Sequence, residues 1–302
     1  MRTLTLTSLM VVCGFKLFAQ QLMLLDEQSI RIKEEQLKLY GDSILKGSHD
    51  SVRISACNNL RFEMKNVLQS PNTFNYSFDS IKNVSKIISD DGNVRIYTWI
   101  LPTDSGSKYQ YYGFIQYRNT KKKIFKVIEL QEAQIDSALL LKKQLKADQW
   151  YGALYYKIIE TKNKKTTYYT LLGWKGNNKQ TTKKVIDVLT FNNNEAQFGV
   201  PILQFEKKTQ LRIIFEFNAE VSMLLHWDEN IHKIVFDHLA PSNPAFKNQK
   251  QSYGPDLTYD ALQWKKGKWN YFHDIDVRNE DDSNKPGFTD KKKREFYNPP
   301  KD

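Results

Sequence analysis

Tyr168-Tyr169-Thr170-Leu171-Leu172-Gly173-Trp174 runs into Lys175-Gly176-Asn177-Asn178 and returns through Val185-Ile186-Asp187-Val188-Leu189. Two apolar, β-branched and aromatic runs separated by a polar Gly/Asn turn are what a β-hairpin needs. The same grammar recurs around it. Tyr117, Trp227 and Trp264 each end an apolar run and lead into Arg118-Asn119-Thr120-Lys121, Asp228-Glu229-Asn230 and Lys265-Lys266-Gly267-Lys268. The returns centre on Lys126-Val127, Val235-Phe236 and His273-Asp274-Ile275. Successive hairpins are the simplest account of all four. The irregular spacing of the four aromatics argues against a solenoid and makes a propeller-like array only an alternative. The expected architecture is therefore an antiparallel meander, closed as a barrel or folded as a sandwich.

Working outward, the two-residue period begins near Val94, after the turn pair Asp91-Gly92. Strands are predicted at 94–101, 109–117, 124–130, 154–160, 168–174, 184–191, 211–218, 221–227, 233–239, 259–264 and 269–277. Between them, Ile135, Leu139, Leu140 and Leu145 carry helical spacing and predict a helical insertion near 132–149. Tyr253-Gly254-Pro255-Asp256 reads as a tight turn. Before Val94 the period is helical. Leu22, Leu25, Ile32, Leu39 and Tyr40 form one stripe, widened by Ile30, Leu37 and Ile44. Asp50 offers the cap of a second helix with Val52, Ala56, Leu60, Met64 and Val67 inward. Cys57 falls in that stripe and reads as a small core residue rather than a reactive thiol. The fold class expected is α+β, mainly β. Its parts are a helical segment at 20–70, a β domain at 71–279 and a charged tail at 280–302 that reads as disordered.

The first residues describe a secretory leader: Met1-Arg2, an apolar run from Leu4 to Phe15, then Leu17-Phe18-Ala19 before Gln20. Cleavage after Ala19 is favoured over lipid attachment at Cys13, because Val12 stands where a small residue belongs. It leaves Cys57 alone, and an exported chain without a disulfide fits a bacterial periplasm or cell surface. No internal run of about 18 apolar residues occurs, so no spanning helix is expected.

The 302 residues carry 45 Lys plus Arg against 34 Asp plus Glu. The excess is spread over turns and tail, which points to a solvated surface or anionic envelope polymers rather than nucleic acid. No Gly-x-Ser-x-Gly, phosphate-cradling glycine loop, His-Glu-x-x-His or Cys-x-x-Cys is present. His226, His232 and His238 are evenly spaced, but six strand residues put the last two about 20 Å apart, too far to share an ion. No metal or cofactor is expected. The remaining acid/base groups cluster late: Asp237, His238, Asp256, Asp274 and Asp276, with His273. Neighbours on a strand point to opposite faces, so neither Asp237 with His238 nor His273 with Asp274 makes a dyad, whereas Asp274 and Asp276 share a face. Asp237, His238, Asp256, Asp274 and Asp276 are the expected binding residues.

From Trp150 to Asn279 the chain resembles a group of exported proteins of Bacteroidota-type bacteria with no assigned activity. The resemblance rests on Tyr151-Gly152-Ala153-Leu154-Tyr155-Tyr156-Lys157-Ile158-Ile159, Tyr169 to Trp174, Ile234 to Leu239, Tyr253 to Asp256 and Asp274 to Asn279. It implies export from a Gram-negative cell and adds no catalytic residue. The function expected is a non-enzymatic binding or assembly module of the envelope, its partner an envelope protein or a glycan. The alternatives are a glycan hydrolase using the aspartates and a glycan-binding domain using exposed Trp or Tyr.

Overall fold

A computed structural model describes residues 25–104, 106–133 and 137–276. The leader, Cys13 and the 280–302 tail lie outside the described residues. Two helices come first, α1 (Glu27–Lys46) and α2 (Asp50–Leu68). Asp26 caps α1 by accepting from the Ser29 N–H at 2.6 Å. The face that α1 buries is Ile30, Leu37 and Ile44, with Gly41 and Glu34 between them. Ile32 and Leu39, expected at the centre of the buried stripe, are each 64 % exposed. The polar Glu34 disguises the true stripe. It is buried because Tyr76 donates its hydroxyl to it at 2.6 Å and the Ser80 N–H donates at 2.7 Å, which satisfies the carboxylate as burial requires. On α2, Ala56, Cys57, Leu60, Met64 and Val67 are inward as expected, and Val52 is exposed. Asp50 is the first helical residue rather than the cap. Its carboxylate accepts from Arg53 and from the Asp104 N–H.

The first sheet is an antiparallel meander of β1 (Ser85–Ile88), β2 (Val94–Thr103), β3 (Lys108–Asn119) and β4 (Ile124–Gln131). Tyr97, Trp99 and Leu101 of β2 meet the helices, and Val94 and Ile96 face the other way into a second core. Strand alternation thus divides one apolar run between two cores.

The second sheet follows in the order β5 (Leu145–Lys146), β9 (Glu195–Phe198), β8 (Thr181–Asn192), β7 (Thr166–Gly176) and β6 (Leu154–Asn163). Further along, β12 (Ile213–Asn218) pairs with the first half of β8. The third sheet holds β10 (Leu203–Phe205), β11 (Lys208–Gln210), β13 (Leu225–Asp228), β14 (Lys233–Pro241), β15 (Tyr253–Lys265) and β16 (Lys268–Phe272). Its order is β11-β10-β16-β15-β14-β13, with β10 and β16 parallel.

These sheets stack. Leu171, Val185 and Leu189 of the second sheet pack toward the first, while Leu172, Ile186 and Val188 pack toward Ile234, Phe236, Leu262 and Trp269 of the third. The middle sheet is covered on both faces, which explains why its strands read as unbroken apolar runs. The architecture is a mainly-β α+β stack of four layers, helices and then three open sheets. It extends the sandwich alternative, and neither a barrel nor a propeller forms among the described residues. All four expected hairpins are present, as β3–β4, β7–β8, β13–β14 and β15–β16.

Three further expectations are corrected. Among the described residues, the insertion near 132–149 holds the four-residue helix Ser137–Leu140 and a 3-10 turn at Ala147–Gln149 in place of one continuous helix, because Glu132 bridges to Trp150 and Leu145 pairs with Phe198, drawing both ends into sheet structure. Tyr253-Gly254-Pro255-Asp256 is no turn but the start of β15, with Tyr253 opposite Pro241. The last strand stops at Phe272 instead of reaching residue 277. No helix among the described residues is long and apolar enough to cross a membrane.

Candidate functional site

The β15–β16 hairpin sets the site. Lys266 and Gly267 both take positive φ, 54° and 78°, between the paired Lys265 and Lys268, the two-residue turn whose twist suits a hairpin. Counting outward, Trp264 faces Trp269 and Leu262 faces Tyr271, so Asp260 comes level with His273. On its other side Asp260 faces Phe236, and His238 follows two residues later on the same face. The two ladders therefore bring His238, Asp260, Tyr271 and His273 to one patch of the third sheet.

The Asp260 side chain is only 3 % exposed, against 35 % for His238 and 61 % for His273. Its Oδ2 lies 2.8 Å from His238 Nδ1 and accepts the Tyr271 hydroxyl at 2.7 Å. Oδ1 lies 2.8 Å from His273 Nδ1 and accepts the Asp274 N–H at 3.1 Å. An ionised carboxylate only accepts, so both Nδ1 atoms donate. The imidazole rings stand 5.2 Å apart at 63°. Burial pushes the Asp260 carboxyl up, but the bonds from His238, Tyr271, the Asp274 N–H and His273 outweigh it and hold the group below its ordinary value. Burial and the Asp260 carboxylate push the Tyr271 hydroxyl up.

Backbone irregularities flank the cluster. Between Asp237 opposite Tyr259 and Leu239 opposite Pro255 the register shifts. The residues bulging out there include Leu257, at φ 73° and 90 % exposed. Past β16, Asp274 at φ 53° turns its N–H onto Asp260. Beneath His238, Asp260 and Tyr271 opens a cleft of about 190 Å³ walled by Phe205, Phe215, Phe236 and Tyr253, with Glu206, Glu216, Asp237 and Lys250 at its sides.

Of the five expected binding residues, only His238 brings its side chain into the cluster. The Asp237 carboxylate accepts from the Leu224 N–H at 2.7 Å. Asp256 accepts from Thr258 and lines a separate cleft with Asn218 and Val221. Asp274 contributes its backbone N–H, and its side chain, like that of Asp276, is exposed. These two share no strand face, because β16 has ended before them. His226 and His232 stay outside the cluster, His232 at the distance from His238 that its spacing implies. Asp260 and Tyr271 are absent from the sequence expectation, and His273 is there without its partner. The signal that finds them is the hairpin register counted from Lys266-Gly267.

Among the described residues, His238, Asp260 and His273 form a group in which one ligating atom from each lies within 4.8 Å of the others. Comparison of the chain with known protein families, with characterised proteins and with solved structures finds no match.

Proposed function

We propose that the chain is an exported cell-envelope protein that binds a glycan in the cleft beside Asp260 without turning it over. The observation that carries this reading is one buried carboxylate holding two part-exposed imidazoles and a phenol at the edge of an aromatic-walled cleft. Sugar hydroxyls take hydrogen bonds from such a fixed polar array, and the apolar faces of a sugar ring pack on Phe or Tyr. The leader at residues 1–19 supplies the route to the envelope.

Binding is favoured over hydrolysis by the state of the carboxylates. Glycoside cleavage uses two, one of them kept protonated as the acid. Asp260 is held on the ionised side, and Glu216 is tied to Asn177, Thr181 and Lys183. Calorimetric titration of the secreted protein with envelope polysaccharide fragments, in the presence of chelator, tests the reading. Saturable binding weakened at least tenfold by Tyr271→Ala and by Phe205→Ala, with no new reducing ends released, is the expected result. Absence of binding, capture of an envelope protein alone, or steady release of reducing ends overturns it.

A further inference from the structure

We propose that His238, Asp260 and His273 bind a divalent transition-metal ion of the Zn²⁺ class at the mouth of this cleft. The location rests on the cleft described above, but the donors are complete without any glycan. They come from three neighbouring strands or their ends, β14, β15 and the residue after β16, and converge by register rather than by a loop's chance approach.

The donor chemistry selects the class of ion. Two imidazoles and a carboxylate are the mixed nitrogen and oxygen set that Zn²⁺ takes, whereas Ca²⁺ and Mg²⁺ take oxygen. Donors at about 2.1 Å from one ion in a tetrahedral site stand about 3.4 Å apart. A group whose ligating atoms lie within 4.8 Å of one another closes on an ion when each atom moves by about 0.7 Å at most. The part-exposed rings of His238 and His273 have room to make that shift. Coordination by Nδ1 leaves each imidazole neutral, its proton moving to Nε2, so the three ligands supply one negative charge to the ion. Tyr271 and the Asp274 N–H already donate to Asp260 from outside the group. Such outer bonds fix the orientation of ligating carboxylates. Three protein donors leave a fourth position open toward the cleft, the arrangement of a site that presents its ion to a ligand.

The test uses the full untagged secreted chain, with Zn²⁺ alone as titrant and no glycan present. Calorimetry is expected to give one ion per chain with micromolar or tighter affinity. Co²⁺ in place of Zn²⁺ is expected to give the strong visible bands of a four-coordinate site. His273→Ala and His238→Ala each lower affinity at least tenfold, and His226→Ala leaves it unchanged. Asp260→Asn does the same as the histidine variants where it folds. Since His273 is largely exposed, its variant keeps the melting transition and preserves the test if Asp260→Asn does not fold. No saturable uptake in the micromolar range, or uptake that survives both histidine variants, overturns the proposal. Glycan binding in chelator without Zn²⁺ uptake sinks the metal and leaves the proposed function standing. Zn²⁺ uptake without glycan binding does the reverse.

Discussion

Arg212 Nε lies 3.2 Å from Asp187 Oδ2, and neither side chain is reached by water. Asp187 stands on β8 in the middle sheet, where both faces are covered. Its carboxylate also accepts from the Val188 N–H at 2.8 Å. Arg212 extends the network by donating Nη1 to the carbonyls of Leu140 and Lys143. The short helix Ser137–Leu140 and the chain after it are thereby tied to the second sheet by one guanidinium. Burial pushes the Asp187 carboxyl above its ordinary value, and Arg212 opposes that.

Breaking such a pair leaves an uncompensated charge in the interior, which costs about 3–5 kcal/mol. Arg212→Ala and Asp187→Ala are each expected to lower unfolding stability by that amount in urea titrations followed by circular dichroism. The pair Asp187→Leu with Arg212→Met is expected to cost less than the sum of the two alanine variants, because no lone charge remains. An Asp187→Ala, Arg212→Ala double variant whose loss equals the sum of the two singles would show that the residues do not act as a unit.

The acid limb of stability should depend on Glu129. This β4 carboxylate accepts from Arg61 and, at 3.1 Å, from Lys65 of α2. Burial pushes it up, but those bonds prevail and hold it below its ordinary value near 4.5. A carboxyl whose folded value is depressed stabilises the fold above its unfolded value and loses that contribution as pH falls through the folded one. Both cations are substantially exposed, so the size is about 1 kcal/mol or less. Glu129→Gln is expected to be less stable than the parent at pH 7, with the gap closing below about pH 4.5. A gap that stays constant down to pH 3 would remove Glu129 from the acid response.

Cys57 is expected to resist thiol reagents. It is 1 % exposed, Trp99 Nε1 points to its sulfur at 3.4 Å, and burial raises its thiol to about 11. At pH 8 only about one part in a thousand is thiolate, the reactive form. Alkylation of the folded chain should run more than about a hundredfold slower than in urea. Rapid labelling without denaturant would place the sulfur at the surface.

How much of this was legible in the sequence depends on how local each feature is. The four hairpins were, because a polar turn and its flanking strands lie within a few residues. Strands β9, β10 and β11 have three or four residues each, too few to display a period. The helical spacing of Leu139, Leu140 and Leu145 is real, yet pairing of Leu145 with Phe198 overrides it. Such tertiary override is invisible locally. Ile30 and Ile32 offered rival centres for the α1 stripe, and only the partners of Glu34 decide between them. At the site, Asp260 sits in a run that reads simply as strand, 22 residues from His238 and 13 from His273. The parity rule separated His238 from Asp237, but it does not apply to His273 and Asp274, which lie past the end of β16. Carrying the register of the Lys266-Gly267 turn outward would have joined His273 to Asp260, whereas His238 reaches Asp260 through the separate β14–β15 ladder. What no local pattern encodes is which sheet covers which face of the second.

Gly113 offers a sharp probe of the first sheet. It pairs with Thr98 in the β2–β3 ladder, and a Cβ added there would stand 2.6 Å from the Tyr97 carbonyl oxygen and 3.1 Å from Leu130 Cδ1. Backbone carbonyls in a ladder cannot swing aside as a flexible side chain would, so the strands must part or the core must shift. Overpacking of this kind costs about 1–3 kcal/mol, and Gly113→Ala is expected to lose that much in a urea titration. Gly254→Ala is the matched control. It also lies in a strand, its φ is not positive, and its nearest neighbour, Val221 Cγ2, would be 3.7 Å away in ordinary contact. That variant is expected to stay within about 0.5 kcal/mol of the parent. Gly→Ala stiffens the unfolded chain and by itself favours the fold at both positions, so equal effects of the two substitutions would mean that the crowding of β2 against β3 at Gly113 carries no cost.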